Sequence, residues 1–170
     1  MFDNLNKTDW KVLNFIAEDP YEKFHLRQIE KELKISPSSV KKALDIMLNL
    51  NLIKEERIAN IRIVSGNMDE ILLKKIKIVK NIIFVKPLID KIKPATSIVL
   101  YGSFANGENN RNSDIDMFVI TNKQIKLHEY KNYSVQIVKM TPEILSKQRK
   151  DNPAYIKEIK NGILLHGEMP

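Results

Sequence analysis

Two aspartates one residue apart, Asp114 and Asp116, follow the pair Gly102-Ser103, with ten residues between Ser103 and Asp114. This pattern constrains the chain strongly, because each part of it demands its own local geometry. Residues 98–101 are an apolar β-prone run, read as a strand, and Gly102, having no Cβ, lets it turn abruptly at its end. Ser103 opens a short helix or turn reaching Gly107, where its hydroxyl and the nearby amides can hold a phosphate oxygen. Residues 114–121 read as a second strand. Side chains two apart on a strand project to one side, so the two carboxylates stand together while Ile115 points into the core. Paired oxygen ligands of this kind suit magnesium that also grips substrate phosphates.

The rest of this region keeps an α/β grammar. Residues 133–139 form a third predicted strand. Thr141-Pro142-Glu143 carries the cap, proline and acidic first turn of a helix start. A last helix over residues 154–160 leads through Gly162 into apolar residues 163–165.

The first third of the chain reads differently. Thr8 or Asp9 can cap a helix with Val12, Leu13, Ile16 and Ala17 at helical spacing, ending before Asp19-Pro20. Leu26, Ile29 and Leu33 mark a second helix, and Lys34-Ile35 turns the chain. Ser36-Pro37 starts a third helix, with Val40, Ala43, Leu44, Met47 and Leu48 inward and Ser38, Ser39, Lys41, Lys42 and Asp45 outward. Residues 52–57 and 61–65 then form a hairpin joined through Ala59-Asn60. From Asp69 to about Lys93 the pattern is one long helix that Pro87 is expected to kink or split. It reads as a connector that packs on both domains and offers a surface for a second copy of the chain.

Composition narrows the chemistry. With no cysteine, thiol catalysis, disulfides and sulfur-ligated zinc are excluded. His25, His128 and His166 are too scattered for a paired-histidine metal site. Purely apolar runs such as residues 82–85 are too short to span a membrane, and the polar start is no signal peptide, so a soluble cytoplasmic protein is expected. The formal charge of +7 makes an anionic partner plausible. Residues 1–66 nevertheless hold 11 basic and 10 acidic side chains, so DNA binding has to be argued from fold and not from charge.

Three helices followed by a hairpin resemble a winged helix-turn-helix domain, over most of residues 8–65. The resemblance implies that the third helix enters the major groove of double-stranded DNA, presenting Ser38, Ser39, Lys41 and Lys42, while Arg57 and Arg62 on the wing meet the backbone. The alternative reading is a domain that mediates protein contacts only, its lysines forming a solvated face.

Gly102, Ser103, Asp114 and Asp116, with Gly107 and Ser113, resemble the minimal form of the DNA polymerase β-like nucleotidyltransferase superfamily, over about residues 95–167. The resemblance implies that Gly102 and Ser103 bind the triphosphate, and that Asp114 and Asp116 are catalytic and carry one or two Mg²⁺ ions. Arg111 is assigned a phosphate contact, because Asn106 stands where a basic residue is frequent. The family's third carboxylate falls at Gln136, and residues 130–142 contain no Asp or Glu.

The expected architecture is therefore two small domains. An α+β winged helix (1–66) is followed by a helical connector (67–94) and an α/β, polymerase β-like nucleotidyltransferase domain (95–170) with a mixed sheet flanked by helices. The expected activity is Mg²⁺-dependent transfer of a nucleoside monophosphate from a nucleoside triphosphate to an acceptor hydroxyl, on a toxin-like partner protein or a small molecule, in a DNA-binding chain. The competing reading is a nucleotide-responsive transcriptional regulator whose transferase domain is weakened or inactive.

Overall fold

The computed structural model describes residues 5–92 and 95–170. The first four residues assigned to the winged helix, and Lys93 and Pro94 at the end of the expected connector, lie outside the described residues. The chain clusters into two compact units that divide between Lys77 and Ile78.

In the first unit, α1 (Lys7–Glu18) is capped by Asn6 and not by Thr8 or Asp9. The Asn6 side chain accepts from the backbone N–H of Thr8 (2.7 Å) and Asp9 (3.1 Å), while Asp9 Oδ2 accepts from Asn6 N (2.9 Å). Thr8 and Asp9 are thus first-turn residues of a capping box, which satisfies otherwise orphaned helix-start donors. Val12, Leu13, Ile16 and Ala17 are buried as their spacing predicts.

Helix α2 (Leu26–Leu33) ends at Lys34 in a left-handed conformation, and α3 (Pro37–Asn49) starts on a Ser36 cap with proline at its first position. Strands β2 (Ile53–Ile58) and β3 (Ile61–Gly66) pair with Ile58 opposite Ile61, so Ala59-Asn60 is the two-residue turn. A two-residue strand, β1 (Phe24–His25), adds to the other edge of β3. The order α1-β1-α2-α3-β2-β3 is that of a winged helix. Phe24, Leu13, Ile29, Leu44, Leu52 and Val64 lie in its core.

The connecting helix α4 runs from Ile71 to Ile92 without a break, and Pro87 sits inside it. Proline removes one backbone donor, yet the split expected at Pro87 does not occur. Flanking Val85, Leu88 and Ile92 are buried in the core of the second unit, and that packing holds the segment helical. Toward its start Leu73 is buried in the first unit, where the buried Lys77 ammonium donates to the Ala17 carbonyl at 2.6 Å.

The second unit is a five-stranded sheet: β4 (Ser97–Tyr101), β5 (Ile115–Ile120), β6 (Glu129–Tyr130), β7 (Tyr133–Met140) and β8 (Ile163–Gly167), in the order β6-β7-β5-β4-β8. Only β5 and β7 are parallel, so the sheet is mixed. Strand alternation sorts its two faces. Ile98, Leu100, Ile115, Met117 and Val119 pack with the residues of α4, whereas Val99, Phe118 and Ile120 pack with Leu145 of α6 (Pro142–Asp151) and with Ile156 and Ile159 of α7 (Pro153–Lys160).

Candidate active site

The site forms where β4 and β5 emerge from this sheet. Register places Tyr101 beside Asp116, and Asp116 beside Gln136, so three side chains stand abreast across β4, β5 and β7. After Tyr101 the chain bends at Gly102 with φ +66°, a left-handed conformation that glycine adopts at no steric cost. A Cβ there would lie 2.5 Å from Asp116 Oδ2, so the glycine is needed for space as well as for the bend. Ser103 follows at the start of the five-residue helix α5 (Gly102–Asn106), which Gly107 closes in a left-handed conformation.

Asp114 immediately precedes β5 and Asp116 lies within it, on the same side as Phe118. Gln136 donates from its side-chain amide to Asp114 Oδ2 at 3.1 Å. Burial, then the negative charges of Asp114 and Glu158, raise the Asp116 carboxyl above its ordinary value. Burial likewise raises the Tyr101 hydroxyl, with Tyr155 and Asp116 contributing. Tyr155 and Glu158 come from α7.

Residues 82–166, half of the chain, match the family model of the nucleotidyltransferase domain. The chain belongs to that family. No curated protein matches the chain. Among solved structures, three of Lactococcus lactis ZitR are similar. One, a doubly substituted form, is 26% identical with a TM-score of 0.39, covering 53% of this chain and 64% of its own. A second, described as a zinc-responsive MarR family member, is 28% identical with a TM-score of 0.36 over 54% and 65%. The third, in complex with DNA, is 26% identical with a TM-score of 0.37 over 54% and 64%. The chain thus spans less than two thirds of each ZitR chain.

The donor set of the nucleotidyltransferase domain fits one magnesium. Two neighbouring carboxylates, with Asp114 raising the cost of charge on Asp116, are relieved by a cation that takes its remaining ligands from phosphates and water. Among the described residues no group of three His, Cys, Asp or Glu side chains forms a cage that could hold a metal by itself. Gln136, the register partner of Asp116, brings hydrogen bonding and no charge.

The predicted residues are not all gathered at this point. Gly102, Asp114, Asp116 and Gln136 meet, and Ser103 adjoins them. Arg111 stands exposed in the loop between α5 and β5. Asn106 accepts from the Glu108 N–H and donates to its carboxylate, closing the turn behind α5. Tyr155 and Glu158 were missed in the sequence, because nothing in a short amphipathic helix says which strand end it will approach.

In the first unit, Ser38, Lys41 and Lys42 are exposed on α3 and Ser39 is partly so. The Ser36 hydroxyl donates to Ser39 at 2.9 Å, so this helix start is internally bonded. Arg57 is exposed, with Nε 3.1 Å from Glu55. Arg62 is held in place: Nε meets Glu55 at 2.6 Å and Nη2 meets Asp45 at 2.8 Å, with only 16% of its side chain exposed. It ties the wing to α3. His25 and Arg27, to which the sequence assigned no role here, line a cleft of 570 Å³ together with the wing residues Asn60 and Arg62.

Proposed function

We propose that this chain is a Mg²⁺-dependent nucleotidyltransferase that moves a nucleoside monophosphate from a nucleoside triphosphate to an acceptor hydroxyl, and that its first unit binds double-stranded DNA. The observation that carries the transferase reading is Asp116 lying against the Gly102 bend with Asp114 close enough to act on its charge, within the span that matches the family. Asp114 and Asp116 hold the ion, and Ser103 offers its hydroxyl and amide to a phosphate oxygen. When bound, Mg²⁺ supplies charge neutralisation on the phosphates. The acceptor oxygen bonds to the α-phosphorus and loses its proton to water, the bridge to the β-phosphate breaks, and pyrophosphate leaves. Gln136 cannot take the acceptor's proton, which makes the reaction slow.

The connection from β5 to β7 is short and contains only β6, leaving little protein for a lid over a small acceptor. That favours an acceptor hydroxyl on a partner protein, such as a toxin-like one, which completes the site. Exposed Lys41 and Lys42 on the third helix of a winged-helix arrangement support the DNA reading.

Incubation with labelled nucleoside triphosphates, Mg²⁺ and candidate acceptors tests the transferase. Transfer that disappears in Asp114→Ala and in Asp116→Ala supports it, and transfer that survives both substitutions overturns the site. A second reading is favoured by the bond from Gln136 to Asp114, which occupies one carboxylate with a neutral partner. Under it the domain binds Mg²⁺-nucleotide without turnover and the chain is a nucleotide-responsive regulator. Tight nucleotide binding with no transfer to any acceptor is the result expected of that reading.

A further inference from the structure

The loop that separates Ser103 from Asp114 is fastened from outside the site. Residues 107–109 all turn back on one oxygen: the Ser103 carbonyl accepts from the N–H of Gly107, of Glu108 at 3.0 Å and of Asn109 at 3.2 Å. With Glu108 N shared between that oxygen and Asn106 Oδ1, the Phe104 carbonyl loses the donor that a longer helix would provide. Asn81 of α4 fills that vacancy. Its side-chain amide donates to the Phe104 carbonyl and to Asn109 Oδ1, each at 2.8 Å. Both asparagines are buried, Asn81 at 7% and Asn109 at 4% exposure. A buried amide that uses both hydrogens on one loop is a strong geometric restraint, because breaking either bond strands a carbonyl away from water.

Beyond the clamp, Asn110, Asn112 and Ser113 are joined by short-range polar bonds. Asn110 Oδ1 accepts from Asn112 N at 2.9 Å, and the Ser113 hydroxyl accepts from Asn110 N at 2.9 Å. Such turns set local shape but do not fix a loop against the body of the domain. The Asn81–Asn109 contact does that, and it does so between the two arms of the site, the Gly102-Ser103 bend and Asp114.

We propose that Asn81, with Asn109 as its partner, is a positioning residue for the phosphate-binding bend: it holds α5 down so that Ser103 and the two carboxylates address the same phosphates. The proposal rests on the reading of this site as a Mg²⁺-nucleotide site. Asn81 touches neither substrate nor metal and acts through Phe104 and Asn109.

Asn81→Asp tests it. The replacement is nearly isosteric but cannot donate as a carboxylate, and it sets charge against two oxygens. Fluorescent ATP analogue with Mg²⁺ is titrated into the full chain, the variant, and a control, Ile120→Val, chosen to loosen the core at the end of β5 remote from Asp116. Asn81→Asp is expected to weaken binding about 10-fold or more, as loss of an outer partner does at metal sites, while the control binds as the natural chain does.

Amide hydrogen exchange provides the readout independent of nucleotide. In Asn81→Asp the N–H groups of Gly107, Glu108 and Asn109 are expected to lose protection while those of β5 keep theirs. Equal loss in loop and strand, or none in the loop, overturns the proposal. Equal weakening of binding in variant and control overturns it too, because a merely structural role predicts that. If the natural chain binds no Mg²⁺-nucleotide, the functional reading of the site fails, and the exchange pattern still decides whether Asn81 orders the loop.

Discussion

The Gln136 side-chain amide donates to Asp114 Oδ2 at 3.1 Å from a backbone position directly beside Asp116. A neutral donor thus stands beside the two carboxylates proposed to hold Mg²⁺ and engages one of them. Gln136→Asp is expected to raise Mg²⁺-dependent label transfer about 10-fold or more, since it supplies both a ligand and a proton acceptor. Without Mg²⁺ the same variant should unfold more easily than the natural chain, because three carboxylates then repel one another. Transfer assays and urea unfolding with and without Mg²⁺ check both halves. No change in either would mean that position 136 has no part in the site.

Gly102→Ala is expected to damage the site more than the fold. The left-handed conformation costs a residue with a Cβ about 1–2 kcal/mol. The new Cβ would also press on Asp116 Oδ2 at 2.5 Å, and the carboxylate, being the movable end, must swing away. Urea unfolding should show a loss of that size. Mg²⁺-nucleotide binding should fall by an order of magnitude or more, roughly what a displaced ligand costs. A variant that binds nucleotide normally would show that Asp116 need not sit against the bend.

Much of this geometry was legible in the sequence. The joint spacing of Gly102, Ser103, Asp114 and Asp116 implies two adjoining strand ends, and the place of Gln136 on a later strand came from the family resemblance. Helix starts at Ser36-Pro37 and Thr141-Pro142 were equally readable, because capping is local chemistry. What could not be read depends on partners distant in sequence. Two residues of β1 carry no periodicity, and they become a strand only because β3 lies alongside. Pro87 reads locally as a break, and packing around Val85 and Leu88 overrides it. Arg62 reads as a wing cation free to meet a backbone, but Asp45 and Glu55 claim it.

Asp116 makes stability depend on pH in a direction that can be worked out. Its carboxyl is raised in the folded state, mainly by burial and then by Asp114, so the folded chain holds a proton over a range in which the unfolded chain has lost it. Stability from this group therefore falls as pH rises from the unfolded carboxyl's range through the folded one, and the full cost is present above both. Asp116→Asn removes that cost. In the absence of metal the variant should have a higher unfolding midpoint than the natural chain at pH 7, with the gap closing as pH drops below the unfolded value. Added Mg²⁺ should raise the midpoint of the natural chain and leave the variant nearly unmoved. A gap that stays constant with pH would show that the gain comes from packing and not from relieved charge.

The cations of the first unit divide into two kinds, and DNA binding should tell them apart. Lys41 and Lys42 are exposed on α3, where each can neutralise a phosphate, whereas the Arg62 guanidinium is spent on Asp45 and Glu55. Each phosphate contact adds about 0.9 to the slope of log affinity against log salt, so losing both lysines should reduce that slope by roughly 2. Arg62→Ala should instead leave the slope nearly unchanged. It should lower the stability of the first unit, because two carboxylates lose their shared partner and the wing loses its tie to α3. Duplex titrations at several salt concentrations, set beside urea unfolding of the same variants, separate the two effects. A slope that falls with Arg62→Ala and holds without the lysines would move the DNA contact from α3 to the cleft beside the wing.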